Sequence, residues 1–212
     1  PMPENVSFKQ GAIVEPVATG MYAVQRGGVK PGDVVLVHGT GPIGLAAVQI
    51  SRLSGASKVI VSGRREKKLN IGKELGADAA VNVSSEDLAA VVNAASNNRG
   101  AEVIIEASGS ESALKESFEL VRPGGTIAMV AFYEKKIDKV DFDQLILNDV
   151  VLTSVAGSPV VGMKVLELMH QGRINLDRII THEYPFEDIV QALDAMKSNR
   201  ADRIKIMLKM PD

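Results

Sequence analysis

The stretch Asp33-Val-Val-Leu-Val-His-Gly-Thr-Gly-Pro-Ile-Gly44 decides the fold of this chain. The β-branched residues and leucine at positions 34–37 predict a buried strand, and the apolar residues that follow Pro42 recur at helical spacing. Pro42 suits the first turn of a helix, because its missing N–H needs no partner there. The stretch therefore predicts a strand, a tight glycine turn and a helix in immediate succession.

The glycine turn predicts a dinucleotide site. Gly39, Gly41 and Gly44 have G-x-G-x-x-G spacing: the first allows the turn, the second lets the backbone approach a pyrophosphate, and the third lets helix and strand pack closely. Free N–H groups at the helix N-terminus would bind the phosphates. The alternative is a glycine-rich loop without a ligand, and the flanking strand and helix count against it. The predicted phosphate-binding residues are Gly39, Thr40, Gly41, Pro42, Ile43 and Gly44.

Composition narrows the class of protein. The 212 residues include 24 basic and 26 acidic side chains, for a formal net charge of −2, so we expect neither nucleic acid nor an anionic membrane as a partner. No run reaches the roughly 18 apolar residues of a membrane span, and the N-terminus lacks a signal-peptide pattern, so the cytoplasm is the expected location. With no Cys and three scattered His, the chain is not expected to build a metal site alone.

Apolar strands alternate with helices through most of the chain. After the first strand, further strands are predicted at residues 58–62, 79–83, 102–107, 126–131 and 150–155. Among the intervening helices, one is predicted to be capped by Ser84 or Ser85 and the next to begin at Ser110. Right-handed crossovers then give an α/β fold, a doubly wound Rossmann sheet of six parallel strands in the order 3-2-1-4-5-6, with the ligand at the switch point beside strand 1.

The pattern changes from residue 158 onwards. Two helices, near residues 161–169 and 189–196, and a final strand at 203–208 are surplus to the doubly wound sheet. These elements need another body to pack against.

Several motifs together resemble one enzyme family. They are Val14-Glu-Pro-Val-Ala-Thr-Gly20, Val29-Lys-Pro-Gly-Asp33, the glycine turn, Leu75-Gly-Ala-Asp78, Val121-Arg-Pro-Gly-Gly125 and Arg203-Ile-Lys-Ile-Met-Leu208. The chain is similar to the coenzyme-binding half of the medium-chain, zinc-dependent alcohol and polyol dehydrogenases, which include sorbitol and threonine dehydrogenases. The resemblance implies a tail from a GroES-like catalytic domain at residues 1–15, a dinucleotide-binding domain at 16–157, and a return segment at 158–212 that packs toward that catalytic domain, which this chain lacks.

The resemblance also implies an activity. In the whole enzyme, zinc would polarise the oxygen of a secondary alcohol, polyol or sugar, and hydride would pass to the nicotinamide. Glu15 matches a position from which this half of the family reaches the zinc, and its alternative is an ordinary solvated carboxylate. A catalytic zinc has three protein ligands and an open position, so we expect zinc in the full-length enzyme only, and dinucleotide binding without turnover from this chain alone.

Further coenzyme contacts follow from the resemblance. Thr19 would line the nicotinamide at the catalytic centre, together with the backbone around Val130, Phe132 and Val155, although all four also suit core or turn positions. Lys205 would face the pyrophosphate or, alternatively, keep a strand edge soluble. Ala107 and Ser108, at the end of strand 4, complete this set. We assign no catalytic role to His38, His170 or His182.

The residues after strand 2 predict which dinucleotide binds. NAD-binding proteins of this fold usually carry an acidic residue there, which accepts hydrogen bonds from the ribose hydroxyls. This chain has Ser62-Gly-Arg-Arg65 instead, with Gly63 at the acidic position. Arg64 and Arg65 would supply charge and donors to a 2′-phosphate, so NADP is the first choice and NAD the second. The alternative is an exposed basic start of a helix.

The sequence also bears on other protein classes and on the oligomeric state. The Tyr-x-x-x-Lys pair of short-chain dehydrogenases is absent, since Tyr133 is followed four positions later by Ile137. A zinc-free quinone reductase and a non-catalytic nucleotide-binding module remain as alternatives. We expect a homodimer or homotetramer formed through strand 6, because an exposed apolar edge invites pairing.

Overall fold

A computed structural model describes residues 2–157, 161–198 and 202–211. Its main feature is a six-stranded parallel sheet in the order β3-β2-β1-β4-β5-β6. The strands are β1 (Val34–His38), β2 (Lys58–Gly63), β3 (Ala79–Asn82), β4 (Ala101–Glu106), β5 (Val121–Met129) and β6 (Val151–Ser154). The predicted fold class and strand order are confirmed.

Helices cover both faces of this sheet, and a second, smaller sheet lies outside it. The helices are α1 (Phe8–Gly11), α2 (Val14–Gly27), α3 (Pro42–Leu53), α4 (Glu66–Glu74), α5 (Leu88–Ser96), α6 (Glu111–Leu120), α7 (Phe142–Leu147), α8 (Gly162–His170) and α9 (Ile189–Ser198). The smaller sheet pairs β7 (Ile180–Pro185) with β8 (Lys205–Lys209) in parallel. None of the helices among the described residues is long and apolar enough to cross a membrane.

Two hydrophobic cores lie on opposite faces of the sheet, because successive side chains of each strand point to opposite sides. Val35 and Val37 of β1 belong to the core under α2 and α3. Val34 and Leu36 belong to the core under α5 and α6. All five residues of β1 are buried, as expected for a central parallel strand covered on both faces.

The structure differs from the sequence prediction at several elements. Asp87, and not Ser84 or Ser85, caps α5, because its carboxylate accepts a hydrogen bond from the N–H of Ala90 at 3.1 Å. Strand β5 begins at Val121, before the predicted residue 126, with a register shift in its pairing with β4. Helix α7 and strand β7 were not predicted, because α7 has only six residues and β7 is half exposed without clear alternation.

The return segment packs partly on the α2–α3 side of the main sheet. Val165 of α8 and Ile179 are fully buried in that core. In contrast, α9 exposes apolar side chains, with Val190 at 67% and Leu193 at 48% exposure. The predicted domain division stays a prediction. The boundary between residues 15 and 16 falls inside the first turn of α2. At the boundary between residues 157 and 158, residue 158 lies outside the described residues.

Candidate dinucleotide-binding site

The glycine turn connects β1 to α3 in a conformation that two of its glycines require. Gly39 has a φ of +106°, and a Cβ there would lie 2.8 Å from the carbonyl oxygen of Ala107. A Cβ on Gly44 would lie 2.1 Å from the carbonyl oxygen of Gly39, far inside van der Waals contact. Gly41, the N-cap of α3, faces open space with no atom within 4 Å of its Cβ position. The turn is therefore closed on the protein side and open on the ligand side.

The turn opens into a cleft of about 1010 Å³ at the carboxyl ends of the parallel strands. Nine predicted site residues line it: Gly39, Thr40, Gly41, Ser62, Gly63, Arg64, Arg65, Ala107 and Ser108. The other residues that line the cleft were not predicted as site residues: His38, Lys68, Val83, Ser84, Ser110, Ser112, Ala113, Lys115, Glu116 and Glu119. The cleft thus extends from the end of β2, past the glycine turn, to the first half of α6.

One end of the cleft is cationic. Arg64 and Arg65 follow β2, Arg65 is the N-cap of α4, and Lys68 lies three residues further along. Burial lowers the pKa of Lys68, and the charges of Arg203 and Arg65 lower it further against the opposite effect of Asp202. The i,i+3 spacing from Arg65 is the sequence signal that could have identified Lys68.

The α6 wall of the cleft is acidic. Glu116 and Glu119 line the cleft one turn of α6 apart, alongside the cation Lys115, so the wall has a net negative charge. Burial raises the pKa of Glu116, and the charges of Glu119 and Asp87 raise it further. The cleft therefore has opposite charge on its β2 end and its α6 wall, which favours binding an anionic ligand group at the β2 end.

Three polar side chains form a row across the sheet at the base of the cleft. His38 of β1 pairs in register with Ser62 of β2 on one side and with Glu106 of β4 on the other. All three are buried, at 1%, 3% and 0% exposure respectively. We call this row the polar floor. It spans the switch point of the sheet, where β1 and β4 are neighbours.

The Glu106 carboxylate holds together the loops that follow β4 and β5. It accepts hydrogen bonds from the N–H of Ser108 at 2.9 Å and the N–H of Gly109 at 3.2 Å, and from the hydroxyls of Ser108 and Tyr133. Burial raises the pKa of Tyr133, and its hydrogen bond to Glu106 and the charge of that residue raise it further. Glu106 thereby fixes the loop at residues 107–109, of which Ala107 and Ser108 line the cleft.

Burial of the His38 ring is expected to make the stability of the fold depend on pH. Desolvation lowers the pKa of His38 to about 4 from its ordinary 6.5. The unfolded chain therefore binds a proton between these values while the folded chain does not, so stability is fully present above pH 6.5 and is lost as the pH falls toward 4. We expect a loss of roughly 3 kcal/mol across this window. Two polar groups neighbour the His38 ring: Ser62 Oγ, 2.8 Å from Nδ1, and Glu106, the residue paired with His38 in β4.

Urea unfolding at pH 4.5 and pH 7 would measure this loss in the starting protein and in the variant His38→Asn. Subtracting the variant removes the contribution of the carboxylates that titrate in the same range. An identical loss of stability in both proteins would contradict the prediction.

The predicted metal and nicotinamide residues lie outside the cleft lining. Thr19 is 4% exposed, and its hydroxyl donates to the Glu15 carboxylate at 3.1 Å along α2. Among the described residues, no group of three or more His, Cys, Asp and Glu could hold a metal ion. Glu15 could therefore supply one ligand at most, and this set of residues does not by itself fit a zinc ion.

The remaining predicted coenzyme contacts are scattered. Val130 and Val155 are each 6% exposed at the ends of β5 and β6. Phe132 is 90% exposed and lines a second cavity of about 390 Å³ beside Ser108. Lys205 begins β8, opposite Ile180 of β7, and is not among the cleft-lining residues. The roles of these residues stay predictions.

Comparison with known proteins identifies the family. The sequence profile of the family described as zinc-binding dehydrogenase matches residues 42–171, which is more than half of the chain. The chain belongs to the zinc-binding dehydrogenase family. The sorbitol dehydrogenase of Gallus gallus is 30% identical to this zinc-binding dehydrogenase chain over 210 residues, which are 98% of the chain and 58% of that protein.

Solved structures of related proteins extend the comparison. An oxidoreductase/dehydrogenase of unknown specificity from Escherichia coli superposes with a TM-score of 0.95 at 30% identity, over 100% of this chain and 60% of that one. An alcohol dehydrogenase from Escherichia coli CFT073, complexed with NADH, superposes with a TM-score of 0.90 at 27% identity, over 98% of this chain and 61% of that one. A zinc-binding dehydrogenase from Sinorhizobium meliloti 1021, bound to NADP, superposes with a TM-score of 0.88 at 28% identity, over 98% of this chain and 61% of that one. The chain thus spans less than two thirds of each of these relatives.

Proposed function

We propose that this chain is the coenzyme-binding portion of a zinc-dependent dehydrogenase that oxidises a secondary alcohol, polyol or sugar by hydride transfer to NADP. The family match and the resemblance to sorbitol dehydrogenase support the reaction class. Glu15 would contribute one zinc ligand, with Thr19 holding its carboxylate, and the other ligands would come from residues outside those described. Zinc, when bound, supplies a Lewis acid for the alcohol oxygen.

The choice of NADP rests on one observation: among the described residues that line the β2 end of the cleft, the charged side chains are all cations. Gly63 occupies the position at which NAD-binding proteins of this fold hold the ribose with an acid. Arg64, Arg65 and Lys68 line the cleft at this end. A 2′-phosphate would meet positive charge and N–H donors there, whereas NAD would lack its usual ribose acceptor.

Calorimetric titration of the chain with NADP⁺ and with NAD⁺ tests the proposal. We expect NADP⁺ to bind at least 10-fold more tightly, a difference of about 1.4 kcal/mol. A chain that binds neither dinucleotide would contradict the coenzyme-binding role, and equal affinities would contradict the choice of NADP. A non-catalytic nucleotide-binding module, the second candidate, predicts the same binding but no dehydrogenase activity from the full-length protein with any alcohol.

The partner proposal concerns the β6 edge of the sheet. Strand β6 is terminal in the sheet, so its outer N–H and C=O groups have no neighbouring strand within the described part of the chain. Val151 of this strand is 55% exposed, and Ile146 and Leu147 of α7, the helix that precedes it, are 76% and 83% exposed. Unpaired strand edges with exposed apolar residues favour pairing with another chain. We propose that two copies join through β6, as a homodimer or as half of a homotetramer.

Sedimentation equilibrium would test the β6 proposal. We expect the chain to sediment as a dimer or larger species, and the variant Val151→Lys to shift it to monomer, because a charge on an edge strand opposes pairing. Val190→Lys is a matched control, since Val190 is a valine on α9 that is 67% exposed, against 55% for Val151. A monomeric starting protein, or a Val151→Lys variant that associates as before, would contradict the proposal.

A further inference from the structure

One buried atom of the polar floor has no hydrogen-bond partner in the part of the chain that the structure describes. His38 Nδ1 lies 2.8 Å from Ser62 Oγ, whereas His38 Nε2 is buried without a partner among the described residues. Glu106, on the other side, is already engaged by donors from the loops after β4 and β5. A buried polar atom without a partner destabilises the fold, because it has lost its hydrogen bonds to water and gained none in return. An apolar side chain at the end of β1 would avoid this cost.

The His38 ring is neutral at neutral pH, because burial lowers its pKa to about 4. One ring nitrogen therefore carries a proton and the other accepts one. If the Ser62 hydroxyl donates to Nδ1, Nε2 is an N–H donor; if Nδ1 donates to Ser62, Nε2 is an acceptor. A ribose hydroxyl, which both donates and accepts, suits Nε2 in either case. A phosphate oxygen suits only the first case.

The position of His38 indicates which half of a dinucleotide lies nearest. His38 lines the cleft together with Ser62, its partner in β2. Ser62 directly precedes Gly63, the position beside which proteins of this fold hold the adenosine ribose. On the other side, His38 directly precedes the glycine turn, which receives the pyrophosphate. His38 therefore lies, along the chain and across the sheet, between the predicted sites for the adenosine ribose and the pyrophosphate.

We propose that His38 is a coenzyme-binding residue, whose Nε2 forms a hydrogen bond with the adenosine ribose of the dinucleotide in the cleft. The inference rests on the proposed coenzyme-binding function. His38 Nε2, which lacks a partner among the described residues, would then gain its hydrogen bond when the dinucleotide binds. No such role follows from the sequence, in which His38 has only the features of a packed strand end.

A pair of variants separates Nε2 from the rest of the ring. His38→Asn keeps a polar atom near the position of Nδ1 and removes Nε2, whereas His38→Gln keeps a polar atom near the position of Nε2. We expect His38→Asn to weaken binding of NADP⁺ about 10-fold and His38→Gln to weaken it less than about 3-fold, as measured by calorimetry. His170→Asn, a surface histidine on α8, is the matched control and should bind as the starting protein does.

Side-chain NMR provides a direct readout that does not depend on variants. In long-range ¹H–¹⁵N spectra of the labelled chain, adenosine 2′,5′-bisphosphate should shift the Nε2 signal of His38 and leave those of His170 and His182 in place. Ligand binding without any shift at His38, or equal affinities of the starting protein and a folded His38→Asn variant, would overturn the inference. Failure of the starting protein to bind any dinucleotide would instead overturn the proposed function, so the two failures are distinguishable.

Discussion

The variant Gly44→Ala is expected to lose stability by about 3 kcal/mol or to fail to fold. A Cβ at this position would lie 2.1 Å from the carbonyl oxygen of Gly39 and 3.0 Å from its carbonyl carbon. These are backbone atoms of the turn itself, so neither can move without displacing α3 from β1. The midpoint of thermal unfolding, followed by circular dichroism, should fall by about 6–12 °C for a chain of this size.

Gly41→Ala is the matched control for this prediction. Gly41 has an ordinary φ of −81° and nothing within 4 Å of its Cβ position. An alanine there should leave the unfolding midpoint unchanged or slightly raised, because it restricts the unfolded chain. It should weaken dinucleotide binding, since its methyl group would occupy the space through which the pyrophosphate approaches the turn. Gly44→Ala with an unchanged midpoint would contradict the close packing of α3 on β1.

Removal of both arginines should abolish the preference for NADP. Charge-assisted hydrogen bonds contribute about 1.5–3 kcal/mol each. The double variant Arg64→Ala with Arg65→Ala should therefore bind NADP⁺ about 10- to 1000-fold more weakly, after desolvation and side-chain ordering are subtracted. NAD⁺, which has no 2′-phosphate, should bind with little change. Calorimetric titration with both dinucleotides measures the effect.

Single variants and a control sharpen this test. Neighbouring side chains diverge, so the single variants Arg64→Ala and Arg65→Ala show which arginine contacts the 2′-phosphate. Lys73→Ala removes an exposed cation from the last turn of α4 and should change neither affinity. A NADP⁺ affinity that the double variant leaves untouched would mean that the arginine pair is only a solvated start of a helix.

The reverse change at Gly63 should favour NAD. Gly63→Asp places a carboxylate where it would repel a 2′-phosphate and accept hydrogen bonds from both ribose hydroxyls. Its Cβ would lie 3.1 Å from Thr40 Cγ2, a side-chain atom that can yield by rotation. We expect the ratio of the NADP⁺ and NAD⁺ affinities to fall. An unchanged ratio would show that the β2 end of the cleft does not contact the ribose.

Much of the fold could be predicted because its signals are local. The strand–glycine turn–helix unit at residues 33–53 lies within one short window, where strand period, turn chemistry and helical period agree. The alternation of strands and helices then restricts the sheet to right-handed crossovers, so the order of all six strands followed from topology alone. The weaker elements, α7 and β7, were missed because short or half-exposed segments carry little periodic signal.

The candidate site also has a part that the sequence predicted and a part that it could not predict. The sequence by itself determined the glycine turn and the residues that follow β2, because both are contiguous and their spacing carries the chemistry. Only the tertiary structure brought Ser62, His38 and Glu106 into one row, since strand register joins residues that are far apart in the chain. Only the tertiary structure left His38 Nε2 unsatisfied and made Glu106 the common acceptor of two loops. Burial and hydrogen-bond completeness depend on everything packed around an atom, and no local pattern records them.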